Sequence, residues 1–238
     1  AMLTTLCILI QKAPLHLKAV AKPIQTTFIK SLHDEINDSA RIQASKGLIM
    51  LLTNNLVRRV DPIINDLLSD LLLKHQNVAI SCLQTLQRIF SLDKVMEKVS
   101  NEKIAETTIF LHHDLLDNIS DSTFITHAAK TLGSIIPYNT EEEISQVIQS
   151  LLTSLSKTLD VKVKMYTIQA LTQLLQQQID CFTNSDLSQY TQLLKDNWSD
   201  TLINGPIALK YIIIEASAKN CQYIQHDLYL SILCQDIL

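Results

Sequence analysis

The densest run of side chains able to do chemistry is "FLHHDLLD", which holds His112, His113, Asp114 and Asp117. His113 and Asp117 stand four apart, so on a helix they would share a face and could offer a metal two ligands. Two ligands leave a site incomplete, and no matching pair recurs elsewhere. A solvated polar face interrupted by inward-pointing Leu115 and Leu116 accounts for the same residues. Glu102 and Glu106 alternate with Lys98 and Lys103 at the spacing of ordinary surface ion pairs. No GxGxxG, Walker-type or GxSxG motif occurs, and 3 glycines could hardly build one. The expectation is a protein without catalytic residues, cofactor or metal.

The 5 cysteines are odd in number and widely spaced, with no CxxC pair, which argues for a reducing compartment and against a disulfide framework or zinc site. Net charge is −4, so nothing draws the whole chain to nucleic acid. Arginine occurs only as Arg41, Arg58, Arg59 and Arg88, and the first three fall within nineteen residues. One local basic patch, extended by Lys46, is the best binding feature on offer. Arg58 and Arg59 would be its chief contacts, because a guanidinium suits carboxylate or phosphate. The same arginines could instead favour the C-terminal dipole of a helix over 37–57. No aromatic stands near for base stacking, so sequence-specific nucleic-acid binding is not expected. The apolar opening "MLTTLCILI" is too short to span a bilayer. The leading Ala-Met reads as a cloning remnant, and the chain as a cytoplasmic fragment of something longer.

Hydrophobic residues make up 47% of the chain, while glycine is far below the roughly 17 that average usage of about 7% implies. Strand-rich folds need glycine at their turns, so the composition points to an all-α fold. In "TEEEISQVIQSLLTSLSK", Thr140 and Glu143 form a capping box, three carboxylates occupy the positive end of the dipole, and Ile144 to Leu155 make one apolar stripe. "VDPIINDLLSDLLL" starts with Asp61 as cap and Pro62 at the first helical position. In "LHLKAVAKPIQTTFIKSLHD", Pro23 divides two helical patterns and would let each follow a curved stack at its own angle. Alternate segments carry a small residue four before a larger one: Ala44/Leu48, Cys82/Leu86, Ala128/Leu132, Ala170/Leu174 and Ala208/Ile212. Their starts lie 38, 46, 42 and 38 residues apart, the period of HEAT or armadillo repeats. The spacing predicts one α-solenoid domain over 1–238. Its elements are a leading second helix at 2–12, five pairs at 15–53, 60–91, 95–136, 140–179 and 186–219, and a final helix from about 222.

Three blocks carry a more specific resemblance. "LKAVAKPIQTTFIKSLHD" (17–34), "RRVDPIINDLLSDLL" (58–72) and "THAAKTLGSIIPYNTEEEISQVIQ" (126–149) stand in order. Together they resemble a segment near the C-terminal end of the very large general-control translational activators. The matching residues of the first block are Gln25, Thr26, Thr27, Phe28, Lys30, Ser31, Leu32 and Asp34. "ASKGLIMLL" departs from the family's usual alanine-rich run. The resemblance implies a scaffold that sits on ribosomes through the parent protein. It would activate the kinase of the initiation-factor-two alpha subunit during amino-acid starvation. A C-terminal stretch binding the kinase's N-terminal RWD domain is implied as well, with Arg58, Arg59, Arg41 and Lys46 as the residues to test. The alternative is a HEAT scaffold of another pathway: a transport receptor, or a phosphatase or chromatin scaffold.

Overall fold

The structure, a computed structural model, describes residues 2–72, 75–115 and 122–196. The chain divides into two compact units, 1–138 and 139–238. In the first unit, α1 (Met2–Lys12), α3 (Asp38–Thr53), α5 (Gln76–Phe90) and α8 (Ser122–Ile135) pack each on the next. These are the second helices of successive pairs. Their partners are α2 (Ala21–Leu32) on α3, α4 (Asp61–Leu71) on α5, and α7 (Asn101–His112) on α8; a single turn, α6 (Asp93–Met96), links α5 to α7. Stacked helix pairs of this kind make an all-α solenoid.

The small residues that predicted the period lie where close approach is needed. Ala44, Cys82 and Ala128, with Leu48, Leu86 and Leu132 four residues on, are all fully buried. Each buried leucine contributes about 1.5–3 kcal/mol relative to exposure. Side-chain hydrogen bonds cross between neighbouring pairs at repeat-length separations. Thr85 Oγ1 donates to Ser45 Oγ at 2.9 Å, forty residues away, and Thr131 Oγ1 to the Leu83 carbonyl at 3.1 Å, forty-eight away. Gly47 sits mid-helix at a cost of about 0.5–1 kcal/mol relative to alanine. Its reason is Phe28 of α2, whose ring lies where a Cβ would be.

Two sequence expectations change. A 3₁₀ segment, Pro14–Val20, precedes α2, and the break falls at Val20 (φ −113°, ψ 11°) rather than at the proline. Pro23 is the third residue of α2, in the first turn, where its missing N–H has no intrahelical acceptor to lose. Asp61 does not cap α4, whose N-cap is Val60 without a side-chain bond. Its carboxylate instead accepts the Ser100 N–H at 3.2 Å, just before α7 in the next pair.

In the second unit, α9 (Glu141–Lys157) packs on α10 (Val161–Gln177) and on α11 (Asn184–Asp196). The capping box is formed: Glu143 Oε2 accepts the Thr140 N–H at 2.8 Å, and Thr140 Oγ1 accepts the Glu143 N–H at 3.3 Å. The stripe Ile144, Val147, Ile148, Leu151, Leu152 and Leu155 is buried, as are Ala170 and Leu174. A second box went unread in the sequence. Asp186 Oδ2 accepts the Thr183 N–H at 2.8 Å, and Thr183 Oγ1 accepts the Asp186 N–H at 3.2 Å, starting α11. Ala208/Ile212, the rest of the pair at 186–219 and the helix from 222 lie outside the described residues. Among the described residues no helix is long and apolar enough to cross a membrane.

Candidate protein-docking surface

The four predicted contact residues all lie on α3 or the loop that follows it, yet they do not form one patch. Helix α3 has 16 residues, so its two ends stand roughly 24 Å apart at 1.5 Å per residue. Arg41 is in the first turn and Arg58 and Arg59 lie beyond the last. Neighbours in sequence are thereby separated by a helix length.

Arg41 is 2% exposed, which takes it out of any surface patch. Its guanidinium pairs with Asp38 and donates to the Asp34 carbonyl, while Nε donates to Ser81 Oγ of α5 at 3.2 Å. A fixed fork of five donors can satisfy several acceptors at once, and here it ties the start of α3 to the preceding turn and to the next pair. The surrounding turn is thoroughly braced. Asp34 Oδ1 accepts the N–H groups of Ile36 (3.1 Å) and Asn37 (2.9 Å), Asn37 caps Ala40 at 3.0 Å, and Glu35 pairs with His75 at 2.8 Å. Ile36 projects from this turn as an apolar side chain, 94% exposed. Lys46 is exposed midway along α3, near Cys7 of α1.

Arg58 and Arg59 are exposed, and neither has an ion-pair partner among the described residues. Their loop is nonetheless fixed. Asn55 takes a left-handed φ of 56°, with its N–H on the Leu52 carbonyl (3.1 Å) and the Leu56 N–H on the Leu51 carbonyl (3.0 Å). This is a Schellman ending with asparagine where glycine is usual. Leu56, Val57 and Val60 turn inward and are buried, so the two arginines between them face water. Because α3 ends at Thr53 and holds no basic residue in its last turn, the helix-capping role considered for them does not apply. Beside this ending lies a groove of about 290 Å³, floored by Leu52, Leu92 and Val95 and edged by Lys94 and Lys98. Lys98 donates to Asn55 Oδ1.

The titratable groups elsewhere converge on structure rather than chemistry. Asp70, buried on α4, takes His33 from the end of α2 and the Cys82 thiol of α5 at 3.8 Å. Burial first, then the Asp70 charge, pushes Cys82 far above the ordinary thiol range, so it is no nucleophile. His113 is exposed and pairs with the adjacent Asp114 at 3.0 Å; Asp117, its proposed fellow ligand, lies outside the described residues. Among the described residues no group of three or more candidate ligands could hold a metal.

No family model matches the chain. Over 153 residues it is 32% identical to the human "Stalled ribosome sensor GCN1", and over 159 residues 30% identical to the "eIF-2-alpha kinase activator GCN1" of Dictyostelium discoideum. These matches cover 64% and 66% of this chain but only 6% of either relative, so the chain spans a small part of the proteins it matches. An engineered protein of known structure is 18% identical, covers 89% of this chain and 98% of its own, and superposes with a TM-score of 0.43, too low to bear on the fold. The resemblance read from the three sequence blocks is borne out: this chain is similar to a short stretch of the GCN1 proteins.

Proposed function

We propose that this chain is a non-catalytic interaction module of a ribosome-associated activator of the eIF2-alpha kinase, acting in the cytoplasm during amino-acid starvation. It contributes to binding the kinase's RWD domain, while the parent protein supplies the ribosome contact. The relatives' names support the pathway. The observation that carries the docking role is the Arg58–Arg59 pair, two exposed guanidiniums on a fixed loop with no ion-pair partner among the described residues. An arginine spent on stability would be buried and paired, as Arg41 is. Exposed arginines on rigid backbone lose little entropy when a carboxylate engages them. The same reading takes residues 1–238 as one repeat domain of a much longer protein.

A pull-down of the 238-residue chain on the kinase's RWD domain tests this, with Arg58→Glu/Arg59→Glu as the paired variant. Retention of the parent chain and its loss in the variant is the expected result. Failure of both forms to bind sinks the kinase contact. Co-purification of the full-length protein with transport cargo or phosphatase subunits, instead of ribosomes, would move it to another pathway.

A further inference from the structure

We propose that the groove between the ends of α3 and α5 is a docking site for a linear acidic peptide segment bearing an aliphatic side chain. The site is independent of which protein engages Arg58 and Arg59. Three observations on unit 1 support it. The floor is apolar, formed by Leu52, Leu92 and Val95, and about 290 Å³ accommodates a leucine or isoleucine side chain with part of its backbone. The rim is cationic: the Lys94 and Lys98 side chains are exposed, and neither has a carboxylate partner among the described residues. The acid on the rim, Asp93, keeps its charge while its Oδ1 accepts the Tyr138 hydroxyl at 2.7 Å, so the rim carries two cations against one carboxylate.

The groove is also pre-formed. On one side the Schellman ending fixes Asn55, and Lys98 is drawn across to its side-chain oxygen. On the other, the Leu92 carbonyl accepts the N–H groups of Val95 (2.8 Å) and Met96 (3.0 Å), which sets the turn that aims Lys94 and Lys98 outward. At the end of α3 the Leu52 and Leu51 carbonyls are taken by the Asn55 and Leu56 amides, which fixes the wall of the groove. Arg58 and Arg59 follow Asn55 by three and four residues, within roughly 10–14 Å along the chain. An aliphatic side chain in the groove with glutamates on either side would satisfy floor and rim together, and the non-polar contact would hold when salt screens the charges.

The test titrates the isotope-labelled 238-residue chain with the peptide Glu-Glu-Leu-Glu-Glu, blocked at both ends, and follows backbone amide shifts. Controls are Gln-Gln-Leu-Gln-Gln and Glu-Glu-Gly-Glu-Glu. Saturable shifts at Leu52, Asn55, Leu92 and Val95 are expected with the first peptide and are weaker by about tenfold in affinity with either control. Lys94→Glu and Lys98→Glu, both at exposed positions, should each weaken binding by about five- to tenfold while circular dichroism is unchanged. Absence of saturable shifts in the groove overturns the proposal. So does equal binding by the controls, or binding indifferent to both lysine variants. The RWD pull-down is read separately, so loss of one result leaves the other standing.

Discussion

The two loops that bracket α3 are built to opposite ends. The one before it, residues 33–37, is acidic, and nearly every polar group there has an internal partner, including Arg41 reaching back from the helix. The loop after it, residues 54–60, is held by main-chain bonds and buried Leu56, Val57 and Val60, which leaves Arg58 and Arg59 unspent. Acid lies at the positive end of the α3 dipole, where it is favoured, while Arg58 and Arg59 stand more than a turn beyond the negative end and take no part in capping it. The lesson concerns arginine. The same side chain is a strut where a carbonyl, a carboxylate and a hydroxyl converge on it, and is left facing water where the backbone bonds only to itself.

Substitutions can break that contrast. Arg41→Ala removes the fork, leaves the Asp34 carbonyl without its donor and opens a gap where a fully buried side chain joined α3 to α5. We expect about 3 kcal/mol of lost stability by urea denaturation, with Arg41→Lys recovering only part because one ammonium cannot span the same acceptors. At the centre of α3, Gly47→Ala drives a methyl into the rigid Phe28 ring and should cost about 2 kcal/mol; a companion Phe28→Leu that left the cost unchanged would disprove the steric cause. Asn55→Val forces a β-branched residue into left-handed backbone, at about 1 kcal/mol, whereas Asn55→Gly should be close to neutral by thermal melting. Arg58→Ala/Arg59→Ala should move stability by less than about 0.5 kcal/mol, and a larger loss would make the pair structural after all.

The smallest effect is in pH. Burial lowers His112 and His127 below the ordinary histidine value of 6.5, with His113 and Lys130 respectively adding to it. The unfolded chain then binds more protons just below pH 6.5, so stability is full above that pH and falls as it drops. His127→Gln should flatten part of the slope in melts across that window.

The repeat, the cap at Thr140 and the small residues at the seams were legible because each is a local pattern: a spacing, a pair four apart, a stripe. Arg41's role was not, since Ser81 reaches it only once α3 and α5 are stacked and the Asp34 carbonyl only once the turn before α3 is folded. Asp61 shows the same limit. Its position beside Pro62 looks like a cap, but the better donor came from thirty-nine residues away. The Thr183–Asp186 box could have been found from its spacing. It was missed because the acid is aspartate where glutamate or glutamine is the usual signature. The groove beside Asn55 had no sequence signal, being made of residues from two repeats.

The cross-pair hydrogen bonds of unit 1 have a kinetic consequence. The cross-pair side-chain bonds among them, Cys7 to Gln43, Thr85 to Ser45 and Thr131 to Leu83, join residues 36 to 48 apart. The loops closed during folding are therefore of one moderate size, and doubling any of them would add only about 0.6 kcal/mol of closure entropy. None of these pairings in unit 1 waits for the distant end of the chain. Each helix pair can settle on its predecessor as it is made, so assembly can keep step with synthesis in a protein whose relatives are many times longer.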